Sequence, residues 1–244
     1  MLRRLIVALL ALGGAGYAGY QLVLKPWWRR WGVVPDEAIA PLPGDEVVPD
    51  AMTSETRGIT IDAPPAAVWP WLVQMGYGRG GWYSYDAVDM AGHSTDRILP
   101  EHQGLKAGDL VPTHPGGGFV VRLIDPEKAL VLFADTSLMQ EQPAIDEASL
   151  NVRATGAVLE RAQPTDFAAS WAFVLEPLPG GRTRLLERVR ARFGETDQPW
   201  QRYTMPLMGF GVFVMVRRQL LGIKQRAEQQ PLPVPPEVAP EVPA

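Results

Sequence analysis

Two stretches of this chain alternate apolar and polar residues with period two. From Phe167 to Glu176, the residues Phe167, Ala169, Trp171, Phe173 and Leu175 share one parity, and Ala168, Ser170, Ala172, Val174 and Glu176 the other. From Thr183 to Phe193, Leu185, Val189, Ala191 and Phe193 oppose Arg184, Arg188, Arg190 and Arg192. Alternation predicts half-buried strands, and Pro179-Gly180-Gly181 between them predicts a hairpin turn. Shorter strands are expected at Glu55–Asp62 (Ile59 and Ile61 on one face), Gly118–Asp125 and Ala129–Asp135, the last two joined by Pro126-Glu127-Lys128. Ser137–Asp166 reads poorly, with one further strand near Ala157–Arg161. Tight turns between strands predict an antiparallel sheet with one apolar and one wet face.

The period changes to helical in two places. Ala63-Pro64-Pro65 opens a helix with Val68, Trp69, Leu72 and Val73 on its apolar face, and Pro70 should kink it. A longer helix fills Pro199–Glu228. In its second half Leu220, Ile223 and Ala227 oppose Arg217, Arg218, Lys224, Arg226 and Glu228. Its first half, Met205–Val216, is apolar on every side. Those twelve residues are too few to cross a bilayer, which takes about 20. Such a helix must be covered all round, by a wrapping sheet or beside a cavity. Gly209 and Gly211 would leave room next to the backbone. One long helix after a run of strands gives an α+β class.

Leu5–Leu24 is a run of twenty uncharged residues, long enough for one transmembrane helix. Arg3 and Arg4 precede it. Lys25, Arg29, Arg30 and the belt Trp27, Trp28, Trp31 follow it. A cleaved signal peptide is the competing reading, opposed by the length of the run and the basic cluster beyond it. The basic flanks lean toward a cytoplasmic C-terminal domain. Residues 32–54 carry four prolines and five acidic residues with no basic one, which reads as an extended spacer or wrapping arm. Residues 231–244 hold six prolines in fourteen and read as an extended tail. The expected units are thus an anchor at 1–31, an arm at 32–54, a domain at 55–230 and the tail.

The sequence ITIDAPPAAVWPWLVQMGYGRGGWYSYD resembles the opening of the SRPBCC group, the START and Bet v 1 superfamily, and more narrowly its bacterial polyketide cyclase/dehydrase-type members. WGVVPDEAIAPLPGDEVVPD, STDRILPEHQGLKAGDLVP and LLGIKQRAE are similar too, so the resemblance runs from Trp31 to Glu228. It implies a helix-grip fold, in which an antiparallel sheet curls around the C-terminal helix and leaves an apolar cavity. Function is implied only as a class: binding of a hydrophobic small molecule or lipid, with a cyclase-like enzyme or a protein-interaction module as alternatives. No cofactor is implied.

A formal net charge of -4 argues against nucleic acid as the partner. The absence of cysteine excludes disulfides and thiolate chemistry. Gly76–Gly81 follows a helix and lacks a βαβ unit, so it reads as a loop with unusual backbone angles. His93, His102 and His114 lack metal-ligand spacing. Trp82, Tyr83, Tyr85 and Asp86 form a dense aromatic and polar cluster, either at a cavity entrance or as structural capping. Glu187 falls on the apolar parity of its strand, which is costly unless the carboxylate is paired. An arginine such as Arg97 or a ligand head could pair with it, or a bulge could turn it outward. Trp171, Phe173, Met208, Gly211 and Met215 complete the candidate cavity lining. The arginine stripe on the other face reads as solvated or as facing anionic lipid.

Overall fold

The computed structural model describes residues 13–87, 93–114, 117–141, 166–194 and 201–229, and the side chains of 201–208 are not among them. Six strands form one antiparallel sheet: β1 (Thr53–Ile61), β2 (Leu110–His114), β3 (Gly117–Asp125), β4 (Ala129–Asp135), β5 (Phe167–Leu178) and β6 (Arg182–Phe193). Their order is β1-β6-β5-β4-β3-β2. Helices α1 (Lys25–Arg29), α2 (Pro35–Ile39), α3 (Pro65–Val73), α4 (Thr136–Glu141) and α5 (Gln201–Gln229) complete the described elements. This is an α+β architecture consistent with a helix-grip. The strand near Ala157–Arg161 and the Pro-rich tail lie outside the described residues.

The inner face of the sheet carries Ile59, Ile61, Leu130, Leu132, Phe173, Leu175 and Leu185. The second half of α5 covers it with Leu220, Ile223 and Ala227, all essentially inaccessible. Helix α3 adds Val68, Trp71 and Leu72 to the same core. Pro70 does not end α3, which continues to Val73; the Pro70 carbonyl accepts instead from Gln103 Nε2. The β5–β6 turn places Gly180 and Gly181 at φ 81° and 70°, the left-handed region glycine adopts freely.

Two expectations need correction. First, the outer face is not wet. The acidic segment 32–54 folds back over it and buries Leu42 and Val48 against Val174, Leu186, Phe133 and Ala168. The arginine stripe meets this arm rather than solvent or lipid. Arg184 is held by Glu37 (2.7 Å), Arg188 by Asp45 (2.7 Å) and by the Ala40 carbonyl, Arg190 by the Val48 carbonyl, and Arg192 by Asp50 (3.2 Å). The physical reason is complementarity: an acidic segment with no basic residue lies next in sequence to an edge strand that pairs with the arginine-bearing one. Gly44, at φ 95°, sits so close that a Cβ would meet Val131 at 2.7 Å.

Second, the apolar first half of α5 is only partly covered along its described part, although Val216 reaches the sheet core. Gly211 is exposed with open space at its Cβ position, and Val212 is 48% exposed. What packs on it is the N-terminal segment: Phe213 sits 5.4 Å from Trp27, 6.2 Å from Trp28 and 6.4 Å from Trp31.

No helix among the described residues is long and apolar enough to cross a membrane. Residues 13–19 are helical and continue through a π-type turn, Tyr20–Leu24, into α1. The earlier part of the uncharged run, Leu5–Leu12, lies outside the described residues.

Candidate functional site

Glu187 lies on the inner face, as its parity predicts, and it is completely buried. No bulge turns it out, since β6 keeps continuous register with both β1 and β5 around it. Register also chooses its partner. Arg57 stands directly opposite on β1 and Phe173 directly opposite on β5. Arg57 Nη1 lies 3.3 Å from Glu187 Oε2, and both side chains are inaccessible. Trp171 Nε1 donates to the other carboxylate oxygen at 2.7 Å. The pairing expected with Arg97 is therefore wrong: Arg97 is exposed, on the loop before residues 100–102, and its carbonyl accepts from Gln74 Nε2.

Arg57 ties this pair to the N-terminal segment. Its Nε donates to the Trp28 carbonyl at 3.2 Å, and its Nη2 bonds Glu55. Its guanidinium also lies 5.9 Å from the Trp28 ring and 5.7 Å from the Phe213 ring, within reach of a cation–π attraction. Arg29 adds a further charge, 3.2 Å from Glu55. Burial pushes the Glu187 carboxyl above its ordinary value, opposed by Arg57 and by the Trp171 hydrogen bond.

The surroundings are aromatic. Trp171 stacks on Trp82 at 5.4 Å, and Phe119 and Phe173 lie 5.7 and 5.1 Å from it. Trp171, Phe119, Val189 and Met215 are only half-buried, so the aromatic surroundings of Glu187 reach partly into solvent. Among the described residues, the buried Trp28 Nε1, Trp71 Nε1 and Gln219 Oε1 have no hydrogen-bond partner. An apolar depression of ≈ 580 Å³ lies elsewhere, on the N-terminal segment, lined by Gly19, Val23, Leu24 and Trp27.

The cluster around Trp82 divides. Trp82 is buried in its stack on Trp171. Tyr83 turns into the core with φ 56°, its hydroxyl donating to the Trp71 carbonyl at 3.1 Å and its ring beneath the Arg226 guanidinium. Burial pushes its hydroxyl well above the usual phenol range. Tyr85 is exposed. Asp86 braces a loop: it accepts from Ser94 Oγ at 2.7 Å and from the Ser94 N–H at 3.2 Å. Burial works against its charged form, yet these bonds and His93 hold its carboxyl below the ordinary value. Gly211 stands exposed on α5. The carbonyl of Met215 accepts from Ser84 Oγ. Met208 lies in α5, its side chain outside the described residues. Gly76, Gly78 and Gly81 all have positive φ, so this loop does need unusual backbone angles. Arg79 fills it by donating to the carbonyls of Val73, Met75 and His102. Among the described residues no group of three or more His, Asp or Glu side chains is placed to hold a metal ion.

Arg57, Glu55 and Trp28 are the site residues that the sequence reading passed over. The signal for two of them was present. Carrying the Ile59–Ile61 parity back along β1 reaches Arg57 and then Glu55. Nothing local marks Trp28, whose place depends on the tertiary packing of α1.

No protein-family model matches the chain, and no curated protein does. Solved structures are similar at low identity. A hypothetical protein from Helicobacter pylori is 9% identical, with 77% of this chain and 95% of that one covered and a TM-score of 0.41. A protein from Arthrobacter aurescens is 14% identical, with 79% and 93% covered and a TM-score of 0.39. A protein from Corynebacterium glutamicum titled Polyketide_cyc-like is 12% identical, with 70% and 89% covered and a TM-score of 0.35.

Proposed function

We propose that the inner sheet face beside Glu187 and α5 forms a crevice that binds a hydrophobic small molecule or lipid with a polar head, in a domain held at a membrane by its N-terminal segment. The observation that carries this reading is the buried Glu187–Arg57 pair with Trp171, set among half-buried aromatic side chains. A buried ion pair is a poor way to stabilise a fold, because desolvation of both charges offsets their attraction. It suits a pocket that is mostly apolar with a few orienting polar groups. Trp171 and Trp82 supply flat apolar walls, and the Trp171 N–H already engages the carboxylate. Membrane attachment is supported by the uncharged run Leu5–Leu24 and by the exposure of Leu22 (76%), Val23 (69%) and Trp27 (52%) just before the arm.

Native mass spectrometry of the detergent-extracted full chain tests the binding, beside titration of an environment-sensitive apolar fluorophore. The expected result is a co-purifying amphiphile, and saturable fluorophore binding that Trp171→Ala weakens several-fold while the fold persists. A folded protein that carries no bound mass and takes up no fluorophore would sink the reading.

A further inference from the structure

We infer that the first half of α5 is a second membrane-contacting element. It would lie in the bilayer interface beside the N-terminal segment, so that the crevice takes its ligand from the membrane rather than from water. This rests on the membrane attachment proposed above and adds to it a surface that the anchor alone does not provide.

The starting observation is an apolar stretch of helix that is covered on one side, where Phe213 and Val216 are buried, and open on another. Gly211 and Val212 are exposed, and a Cβ at Gly211 meets nothing within 4 Å. One to two turns further on, the exposed side chains are Arg217 and Arg218. The exposed surface of α5 thus passes from apolar to basic along its length. The N-terminal segment does the same: exposed Leu22, Val23 and Leu24 are followed by Lys25, Arg29 and Arg30.

The two transitions stand at one level, because the elements are packed together there. Phe213 touches Trp27, Trp28 and Trp31, the Gly209 Cβ position lies 3.0 Å from the Trp28 ring, and the Arg217 guanidinium sits 5.0 Å over the Trp31 ring. Exposed Leu22–Leu24, Gly211 and Val212 beside Trp27, Trp28 and Trp31, with Arg29, Arg30, Arg217 and Arg218 next to those rings, match the layering of an anionic bilayer surface. Acyl chains meet the apolar part, amphipathic rings occupy the interface, and Lys and Arg meet the headgroups. A half-helix of this length lies in the interface and does not span. The occupant is therefore a bilayer containing anionic lipid. Trp28, which packs on this helix, also accepts the Arg57 hydrogen bond, so the membrane-facing layer and the Glu187 pair adjoin. A ligand arriving there is a membrane-resident amphiphile.

The chain has no cysteine, so single cysteines can be placed and labelled with an environment-sensitive fluorophore. Full-length protein with Val212→Cys, Leu22→Cys or Gln225→Cys is reconstituted into vesicles of phosphatidylcholine and phosphatidylglycerol. Half of the samples contain lipid bearing a nitroxide on its acyl chain. Labels at Leu22 and Val212 are expected to be quenched several-fold more than the label at Gln225, which is exposed on the second half of α5. Gly211→Cys, in open space, serves as a second position should Val212→Cys impair folding. Quenching at Leu22 with none beyond the Gln225 level at either α5 position overturns the inference and leaves the anchor standing. Absence of quenching at Leu22 overturns the anchor and the inference together.

Discussion

At the scale of single residues, the Arg57–Glu187 pair makes the sharpest prediction. Both side chains are inaccessible, and each satisfies the other's charge. Arg57→Leu would leave a buried carboxylate without its counter-ion, and breaking such a pair from one side costs about 3–5 kcal/mol. Replacing both, Arg57→Leu with Glu187→Leu, removes the desolvation cost together with the attraction and should recover part of that loss, the rest belonging to the Glu55, Trp28 and Trp171 bonds. Denaturant unfolding of the two variants measures the difference. Equal destabilisation of single and double variants would mean that packing, not charge, sets the cost. Loss of fluorophore or amphiphile binding in a stable double variant would give the pair a role in recognition. Gly44 makes a second prediction at this scale. Its φ of 95° and the nearness of Val131 leave no room for a side chain. Gly44→Ala should therefore destabilise by more than the ~1 kcal/mol typical of glycine substitutions at compatible positions, with the opposite sign.

At the scale of elements, the arm depends on charge, and the sign of its pH dependence follows. The hydrogen bond from Arg184 is the largest influence on Glu37. Together with that from the Val34 N–H, and against a smaller effect of burial, it holds the carboxyl below its ordinary value. A carboxylate with a depressed folded pKa stabilises above its unfolded pKa, about 4.3, and loses that contribution as pH falls through the folded value. Wild type should therefore melt above Glu37→Gln near neutral pH, and the gap should close as pH drops below about 4. A gap that persists in acid would assign the contact to packing of α2 alone. This arm also marks the limit of what the sequence made legible. The strands, the hairpin and the amphipathic half of α5 follow from period alone, and the face of Glu187 follows from parity. The arm's destination does not, because the arginines of β6 and the acids of residues 36–50 are far apart in sequence. Each reads alone as a solvated run, and only the β1–β6 pairing brings them together. The partner of Glu187 is hidden for a similar reason: parity gives the face of a residue but not its opposite number, so only register separates Arg57 from Arg97.

At the scale of the whole molecule, the N-terminal segment, beside the membrane role proposed for it, is part of the domain from Trp28 onward. From the sequence, residues 1–31 form one removable anchor. In the structure Trp28 is 2% exposed, its carbonyl accepts from Arg57, its ring packs on Phe213, and the Trp31 carbonyl accepts from the Gly58 N–H on β1. A chain cut before Lys25 keeps all of these contacts; a chain cut before Gly32 loses them all. Removing a buried Trp side chain costs about 3–5 kcal/mol. The Arg57 Nε–H would also lose its acceptor inside the protein, a further penalty of about 1–3 kcal/mol if water does not replace it. Against a typical total stability of 5–15 kcal/mol, the shorter chain should be marginal or unfolded, and the longer one should unfold cooperatively. Urea titration of the two truncated chains, followed by tryptophan fluorescence and far-ultraviolet circular dichroism, separates them. Equal midpoints would return residues 25–31 to the anchor and would detach the membrane-facing layer from the Glu187 pair.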